Sequence, residues 1–354
     1  MTDSGDGQDR ASLAAVRALA LAGYRPAVAV AGEASLAGAS RHSARWISVP
    51  GVRDPSFAEV LRQVLDAGSF LTALPSSDAV LLALGSPVEH LVDKARLADV
   101  AVGAGFRIPA TARYDSSSML LDAAGELPYP VVVKPATKNG SHVHPAYRAD
   151  HPDELRRGTE GDGAVVVQPF VPQPMHSVSG IIRDGELAAL VHQRYERTWP
   201  VDCGTASSAV TVEPDHEIEE RLPELLRPYQ GIFQVQFAGS LLLDVNPRVY
   251  GSLPLAAAAG VNLPALWCEH LQGRWPVSQG AVVRSRPGVR YRWLEGDLRN
   301  IGRALKSGRM SPWGALRSMV PRPGSAHSTE SLEDPGPAIA RLRYVAHRAR
   351  ASSS

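Results

Sequence analysis

A short polar stretch near residue 240 carries the side chains best suited to chemistry in this chain. Residues 233–237 (FQVQF) alternate apolar and polar side chains, which is typical of a β-strand. Ala238-Gly239-Ser240 predicts a turn, after which residues 241–245 run back as a second strand. Pairing across this turn predicts one shared face, which carries Gln234, Gln236, Leu242, Asp244 and Asn246.

This face brings one carboxylate, that of Asp244, close to the amide oxygens of Gln236 and Asn246. All three groups are hard oxygen ligands, which Mg²⁺ accepts together with phosphates and water. Arg248 follows two residues later, where its guanidinium could hold a phosphate or a carboxylate with two hydrogen bonds. The residues alone also allow a solvated strand face that ends in a simple Asn-Pro-Arg turn.

The same segment resembles the metal-binding end of the ATP-grasp fold. The likeness is closest to the branch that includes the large subunit of carbamoyl-phosphate synthase, and it rests on V-Q-F-A at 235–238 and D-V-N-P-R at 244–248. In that family the carboxylate is usually glutamate, whereas Asp244 is one methylene shorter. The resemblance implies that ATP and Mg²⁺ are the cofactors, with Mn²⁺ as a substitute metal.

Two upstream segments resemble the nucleotide-binding parts of the same family. Asp93-Lys94 matches a pair at a helix start, and Lys134 ends a buried strand at 129–135; the resemblance implies that both lysines face the nucleotide. Residues 164–170 read as another buried strand, at the place of the hinge that grips adenine. The residues implied in that contact are Gln168, Pro169, Phe170 and Val171.

Three further segments follow the family order. Thr137–Ser141 (TKNGS) lies at the place of the glycine-rich lid. A hairpin that turns at Asp184-Gly185 is predicted next. Its second strand ends at Arg194, which the resemblance implies is an arginine near the phosphates, while a solvated hairpin arginine explains this residue equally well.

Composition narrows the protein class. The chain has 354 residues, 44% of them apolar, and a formal net charge of +1, so its charge gives no reason to expect nucleic-acid binding. Two distant cysteines match no zinc spacing. The longest apolar runs are interrupted by charged residues and prolines, so we expect a soluble, cytoplasmic protein without a membrane partner. No P-loop, H-E-x-x-H or G-x-S-x-G motif competes with the ATP-grasp interpretation.

The predicted fold class is α/β, with three parts. Residues 1–92 form a small parallel-sheet, Rossmann-like domain that precedes the ATP-grasp part, with a strand predicted at Phe70–Leu74. Residues 93–275 form the ATP-grasp domain, whose two α+β halves are 93–168 and 169–275. Residues 276–354 form a partly helical extension, with a linker predicted at 326–337.

The beginning of the chain departs from the family pattern. The small domain normally opens with its own strand, and Met1 falls where that strand should already have ended. We therefore expect either that the first strand is missing or that the start was placed too late.

The resemblance implies a ligase that converts a carboxylate into an acyl phosphate, which an amine or a thiol then attacks. Arg248 would hold the acceptor carboxylate or the transferred phosphoryl group, and Arg194 is the second candidate catalytic residue. Two alternatives stay open: an ATP-binding regulatory or assembly protein without ligation, and a kinase-like phosphoryl transfer. The expected partners are a small carboxylate and its nucleophile, and a homodimer would be common among similar proteins.

Overall fold

The computed structural model describes most of the chain. The described residues are 1–3, 8–32, 35–52, 54–137, 146–158, 163–275, 280–320 and 322–351. Within these ranges, no helix has both the length and the apolar character needed to cross a membrane. The predicted lid lies almost wholly outside them.

The N-terminal part is built on a three-stranded parallel sheet with the order β1-β2-β3. Its elements are β1 (Thr2–Asp3), α1 (Arg10–Leu21), β2 (Ala27–Val30), β3 (Arg45–Ser48), α2 (Phe57–Ala67), α3 (Asp78–Ala83) and α4 (Glu89–Val92). A first strand is therefore present as β1, which corrects the expectation that it is missing. Phe70–Leu74 is not a strand, because an apolar run can equally be irregular chain whose side chains are buried, as that of Leu74 is.

The next part holds a four-stranded antiparallel sheet with the order β4-β7-β5-β6. Its elements are α5 (Lys94–Gly103), β4 (Ala112–Tyr114), α6 (Ser117–Asp122), β5 (Val131–Pro135), β6 (Tyr147–Ala149), α7 (Pro152–Gly158) and β7 (Val165–Pro169). Alternate residues of β5 and β7 enter a small core with α6 and α7, which leaves the other face of this sheet for the site.

The remaining described residues build an eight-stranded sheet, in which β13 pairs with β9 beside the path β12-β11-β8-β9-β10-β14-β15. The elements are β8 (Met175–Arg183), β9 (Glu186–Trp199), β10 (Thr205–Thr211), α8 (His216–Leu226), β11 (Gly231–Ala238), β12 (Leu241–Asn246), α9 (Leu253–Ala258), α10 (Leu263–Leu271), β13 (Val283–Arg284), β14 (Arg290–Arg292), α11 (Leu294–Lys306), α12 (Pro312–Met319), β15 (Ala326–His327) and α13 (Gly336–Ala351). The predicted turn joins β8 to β9, and both Asp184 (φ +51°) and Gly185 (φ +78°) have the positive φ of a type I′ turn.

The centre of the large sheet has one apolar and one polar face. Val178, Phe233 and Val235 belong to the main core, which also contains residues of α4, α5 and α8. The alternate positions of β8, β9 and β11 carry polar side chains that are nevertheless buried, namely Ser177, Ser179, Gln193 and Gln234. Gln193 Nε2 donates to Ser177 Oγ (2.6 Å) and to Ser252 Oγ (3.0 Å), so several of these buried polar groups bond to one another.

The segment predicted as a linker is instead anchored to the rest of the molecule. Strand β15 pairs with β14, and Asp334 is only 1% exposed. The Asp334 carboxylate accepts hydrogen bonds from Arg17 Nε (2.8 Å), Ser40 Oγ (2.7 Å) and the Arg41 amide (3.0 Å). A polar composition suggested a linker, but this buried carboxylate ties the C-terminal part to the N-terminal part.

Candidate nucleotide and metal site

The β11–β12 hairpin has the predicted faces but reaches them by a different path. Its turn has two residues, Gly239-Ser240, because Ala238 pairs with Leu241. A two-residue turn alone would put Asp244 on the face opposite to that of Gln236. A bulge between the pairs of Gln236 and Phe237 corrects this, because Leu243 is an extra residue in β12. The bulge puts Asp244 and Asn246 on the polar face, where they pair with Gln236 and Gln234, and Leu242 lies in the core. The prediction that Leu242 shares the polar face was therefore wrong.

The three predicted metal ligands lie side by side at the end of this hairpin. Gln236 Nε2 donates to Tyr195 Oη (3.1 Å), so its Oε1 is the atom that could serve as a ligand. Burial raises the pKa of Tyr195 to about 12, so its hydroxyl stays neutral. Asn246 Oδ1 accepts a hydrogen bond from Arg248 (2.9 Å), which fixes the rotamer of that amide.

The donor set fits Mg²⁺ that is held partly by phosphates. Asp244 supplies a carboxylate, and Gln236 and Asn246 supply amide oxygens, all hard donors from paired strands. Among the described residues, no group of three or more His, Cys, Asp and Glu could hold a metal. A site with one carboxylate would hold the ion weakly by itself, so we expect metal binding here to depend on nucleotide phosphates.

Both predicted lysines point toward the same place. Lys94, 5% exposed, lies with its Nζ 3.7 Å from Asp244 Oδ1. It follows Asp93, which caps α5 by accepting from the Ala95 amide (2.9 Å). Lys134 Nζ donates to Gln168 Oε1 (2.9 Å) and lies 3.4 Å from the Leu243 carbonyl oxygen. The two ammonium groups therefore meet the end of β12 from α5 and from the small sheet.

The segment that links β7 to β8 joins the small sheet to the large one, as a hinge would. Gln168 is fixed by its contact with Lys134 and by donation to Thr111 Oγ1 (2.9 Å). Pro169 has no N–H, and the Phe170 N–H donates to the Pro130 carbonyl (2.8 Å). The amide of Val171 and the carbonyls of this segment are therefore the groups that could meet an adenine edge.

Arg248 is held by a residue that the sequence did not single out. Its Nε donates to Asp78 Oδ1 (2.5 Å), and its other nitrogens donate to Asn246 and to the Val249 carbonyl (3.1 Å). Burial alone would lower the pKa of Arg248, but the charge and the hydrogen bond of Asp78 outweigh it and raise the pKa. No local pattern marks Asp78, the first residue of α3, as a partner of this arginine.

A cavity of about 750 Å³ collects these groups, a size suited to a nucleotide and a small substrate. We call it the central cavity. Ten predicted residues line it: Lys94, Lys134, Gln168, Pro169, Phe170, Val171, Gln236, Asp244, Asn246 and Arg248. Arg194 does not line it; this exposed residue borders a separate depression with His176, His192 and Asp215.

The central cavity also has lining residues that sequence reasoning missed. They come from the β9–β10 loop, the segment after β12, and the C-terminal part, and they include Trp199, Thr205, Tyr250, Gly251, Trp293, Arg299 and Arg341. Residues 284–303 are rich in arginine, but this composition does not tell which of the arginines face inward.

Comparison with known proteins agrees with this architecture. Residues 162–297 match the family model described as ATP-grasp in the biosynthetic pathway with Ter operon. An L-amino acid ligase from Bacillus licheniformis is similar in structure, with a TM-score of 0.55, 16% identity, and coverage of 78% of this chain and 75% of that one. An N5-carboxyaminoimidazole synthase from Aspergillus clavatus, solved with ADP and 5-aminoimidazole ribonucleotide, is also similar in structure. Its TM-score is 0.56 at 13% identity, and the match covers 80% of this chain and 79% of that one.

A third similar structure is the biotin carboxylase domain dimer of a 2-oxoglutarate carboxylase from Hydrogenobacter thermophilus, solved with MgADP and bicarbonate. Its TM-score is 0.53, its identity is 15%, and the match covers 79% of this chain and 71% of that one. Curated protein sequences give no significant match. The closer likeness to carbamoyl-phosphate synthase stays a resemblance. From the three sheets, the residues gathered in the central cavity and these similarities, we conclude that this protein has the ATP-grasp fold.

Proposed function

We propose that this protein is an ATP- and Mg²⁺-dependent ligase that activates a carboxylate as an acyl phosphate. One observation carries the proposal. The family resemblance implies roles toward ATP, metal and carboxylate for residues in distant parts of the chain, and these residues line a single cavity. Their order along the chain and the shared fold support the same interpretation.

The nucleotide would lie between the two sheets. Lys134 is held at the end of β5, and Lys94 starts α5, so their ammonium groups can meet phosphate oxygens from two sides. The segment from Gln168 to Val171 would contact the base. Exclusion of water from this cavity would strengthen each of these contacts.

Gln236, Asp244 and Asn246 would hold Mg²⁺ together with the phosphates. When bound there, Mg²⁺ would supply positive charge against the phosphates during phosphoryl transfer. Asp78 and Arg248 keep Asn246 oriented for this purpose. Nε of Arg248 donates to Asp78, and each terminal nitrogen donates once, to Val249 or to Asn246, so the second N–H of each terminal nitrogen would be offered to the acceptor or to the phosphoryl group.

The proposed reaction has two steps. A carboxylate oxygen of the substrate attacks the γ-phosphorus, the bond to the bridging oxygen breaks, and ADP leaves. A nucleophile such as an amine then attacks the acyl carbon, inorganic phosphate leaves with the bonding electrons, and the proton lost by the amine passes to the phosphate. Neither step needs a nucleophile from the protein. Cys203 lines the cavity, but burial raises its pKa to about 11, so its thiol stays protonated at neutral pH.

The first test is thermal stabilisation by ATP, with and without Mg²⁺, of the wild-type protein and of Asp244→Ala. We expect ATP to stabilise the wild type strongly only when Mg²⁺ is present, and we expect Asp244→Ala to lose this metal dependence. If ATP gives no shift in the wild type under either condition, the nucleotide site is wrong.

A second test separates ligation from the alternatives. A panel of carboxylates is screened for ADP release, with hydroxylamine present to trap an acyl phosphate as a hydroxamate. Stimulated ADP release with hydroxamate formation supports the ligase. A phosphorylated product that does not react with hydroxylamine would instead indicate a kinase-like transfer of the phosphoryl group to a hydroxyl. Nucleotide binding without turnover would favour a regulatory role, which the single carboxylate of the metal site also allows.

A further inference from the structure

The C-terminal part contributes one wall of the central cavity. Trp293 precedes α11, Arg299 lies on α11, and Arg341 lies on α13; all three line the cavity. Thr205 and Gly251 complete this wall from the large-sheet side. None of these residues has a role in the nucleotide and metal site proposed above, so the wall needs an explanation of its own.

The two arginines of this wall are held by one carboxylate. Arg341 donates through Nε and a terminal nitrogen to the two oxygens of Glu295, at 2.8 Å each, and an Arg299 nitrogen lies 2.7 Å from Glu295 Oε1. Hydrogen bonds from Arg341 hold the pKa of Glu295 below its usual range. This geometry holds both guanidinium groups at the cavity wall beside the Glu295 carboxylate.

A third guanidinium lies close behind the wall. The Arg10 guanidinium carbon lies 3.7 Å from the Trp293 ring centroid, and its nitrogens donate to the hydroxyls of Tyr291 and Thr205, each at 3.1 Å. A Cβ at Gly251 would come within 3.3 Å of the same guanidinium, which is tighter than an ordinary contact, so Arg10 would have to shift by a few tenths of an ångström. Hydroxyl partners leave the charge of Arg10 in place, and it adds to the positive potential of the wall.

Position on the helix distinguishes Arg299 from its neighbours. Arg303 lies one turn further along α11 and is exposed, and it is not part of the cavity lining. Among the described residues, the carboxylates that line the cavity are Asp202 and Asp244. Asp202 is paired with Arg148 (3.0 Å) and Arg309 (2.9 Å), and Asp244 faces Lys94. The described cavity-lining residues therefore give this wall cationic groups and no carboxylate.

We infer that this wall is an anion subsite and that the acceptor acid carries a second negatively charged group. The carboxylate to be activated would lie near Arg248 and Asp244, and the second group, a carboxylate or a phosphate, would be held by Arg299 and Arg341. Guanidinium groups bind both anions with paired hydrogen bonds. This inference rests on the proposed function and adds the charge class of the substrate to it.

The test compares acids that differ only in their second charge. Binding of propionate and succinate, and of glycolate and 2-phosphoglycolate, is measured by calorimetry on the full chain with a non-hydrolysable ATP analogue and Mg²⁺. In the wild type we expect succinate, 2-phosphoglycolate or both to bind about tenfold or more tightly than the matched acid with one anionic group, a difference of roughly 1.4 kcal/mol. Arg299→Gln should remove that difference, and the matched control Arg303→Gln should keep it.

The outcomes separate this inference from the proposed function. Stabilisation by the nucleotide and Mg²⁺ is recorded first in each sample; its absence in the wild type would remove the ligase proposal itself. With that signal present, three results would each overturn the anion subsite. They are equal affinity for the members of both pairs, failure of both succinate and 2-phosphoglycolate to bind, and a preference that survives in Arg299→Gln. Arg299 is the chosen position because it is half exposed, so its loss should leave the fold intact.

Discussion

The Nε of Arg248 lies 2.5 Å from Oδ1 of Asp78, although 170 residues separate them in the chain. Asp78 is 2% exposed and Arg248 12%, so this is a largely buried ion pair. Arg248 also donates to Asn246, one of the predicted metal ligands. The Arg248 guanidinium therefore links α3 of the N-terminal part to Asn246, the last residue of β12.

Replacement of Asp78 should damage both stability and metal-dependent binding. Asp78→Asn leaves Arg248 buried without its carboxylate, which we expect to cost roughly 3 kcal/mol of unfolding free energy. Because Arg248 then shifts, Asn246 should lose its fixed orientation, and the Mg²⁺-dependent part of ATP stabilisation should fall. Urea unfolding and thermal shifts with ATP, with and without Mg²⁺, measure the two effects.

Two controls separate a positioning role from general destabilisation. Asp66→Asn changes an exposed residue of the same domain and should behave like the wild type. The double variant Asp78→Leu/Arg248→Met replaces the pair by apolar groups and should recover stability, but not the Mg²⁺-dependent stabilisation. If the double variant recovers that stabilisation, Asp78 and Arg248 do not act on Asn246.

Asp244 is the residue on which the metal prediction depends most directly. Asp244→Asn keeps the size of the side chain but removes the charge, so we expect roughly a 100-fold loss of Mg²⁺-dependent ADP release. Asp244→Glu restores the residue usual in the resembling family and should retain most of the activity. A Mg²⁺ titration of ADP release, with nucleotide stabilisation as a second readout, compares the three proteins. Equal Mg²⁺ dependence in all three would show that the metal binds elsewhere.

Local sequence patterns were enough to predict many elements. Lys94 begins helix α5 behind its Asp93 cap, and the β8–β9 turn lies at Asp184-Gly185, both as predicted. Caps, turns and apolar periodicity act over a few residues, so they are readable in one sequence. The same logic found the strand ends that carry Lys134 and Asp244, because strand ends are where polar residues replace the apolar run.

Contacts between distant segments had no such signal. The Asp78–Arg248 pair and the inward position of Arg299 arise only when helices pack beside sheets, and neither leaves a local pattern. The bulge between Gln236 and Phe237 was missed because the predicted turn, one residue too long, already put Asp244 and Asn246 on the same face as Gln234 and Gln236, although with other cross-strand partners. Arg194 was placed by order along the chain, and order does not decide which face of a strand a side chain occupies.

Glu219 should make the folded state sensitive to acid. It accepts hydrogen bonds from Arg284 (2.6 and 2.8 Å) and from His192 (2.8 Å). Burial alone would raise the pKa of Glu219, but these partners lower it from 4.5 to about 2. Because the folded-state pKa is depressed, this stabilisation is complete above about pH 4.5 and is lost as the pH falls toward 2. We therefore expect the free energy of unfolding to drop across this window.

Glu219→Gln tests that assignment, because glutamine does not titrate. The variant should be less stable at pH 7 by roughly 1–3 kcal/mol, since it loses charged hydrogen bonds, and its stability should depend less on pH between 5 and 3. Urea midpoints at several pH values measure both effects. Glu217→Gln, an exposed change on the same helix, is the control and should keep the wild-type pH dependence. If the free energy of unfolding of Glu219→Gln depends on pH as strongly as that of the wild type, other groups cause the sensitivity to acid.

Asp334 should hold the C-terminal part, and with it the anion subsite, against the rest of the molecule. Asp334→Ala leaves Arg17 largely buried without its carboxylate, at an expected cost of roughly 3 kcal/mol. The neighbouring change Glu333→Ala is its matched control. The Glu333 side chain is 82% exposed, and its carboxylate is as far as 4.0 Å from the nearest Arg41 nitrogen, so the effect on the free energy of unfolding should stay within about 0.5 kcal/mol.

The consequence for binding follows from the chain path. Helix α13 begins two residues after Asp334 and carries Arg341 to the cavity wall, whereas the nucleotide contacts come from other elements. Asp334→Ala should therefore weaken succinate or 2-phosphoglycolate binding about tenfold, increase hydrogen exchange in α13, and leave stabilisation by ATP and Mg²⁺ close to that of the wild type. Calorimetry and hydrogen exchange on both variants measure these effects. If binding of the nucleotide and binding of succinate or 2-phosphoglycolate fall equally, Asp334 supports the whole fold rather than the C-terminal wall.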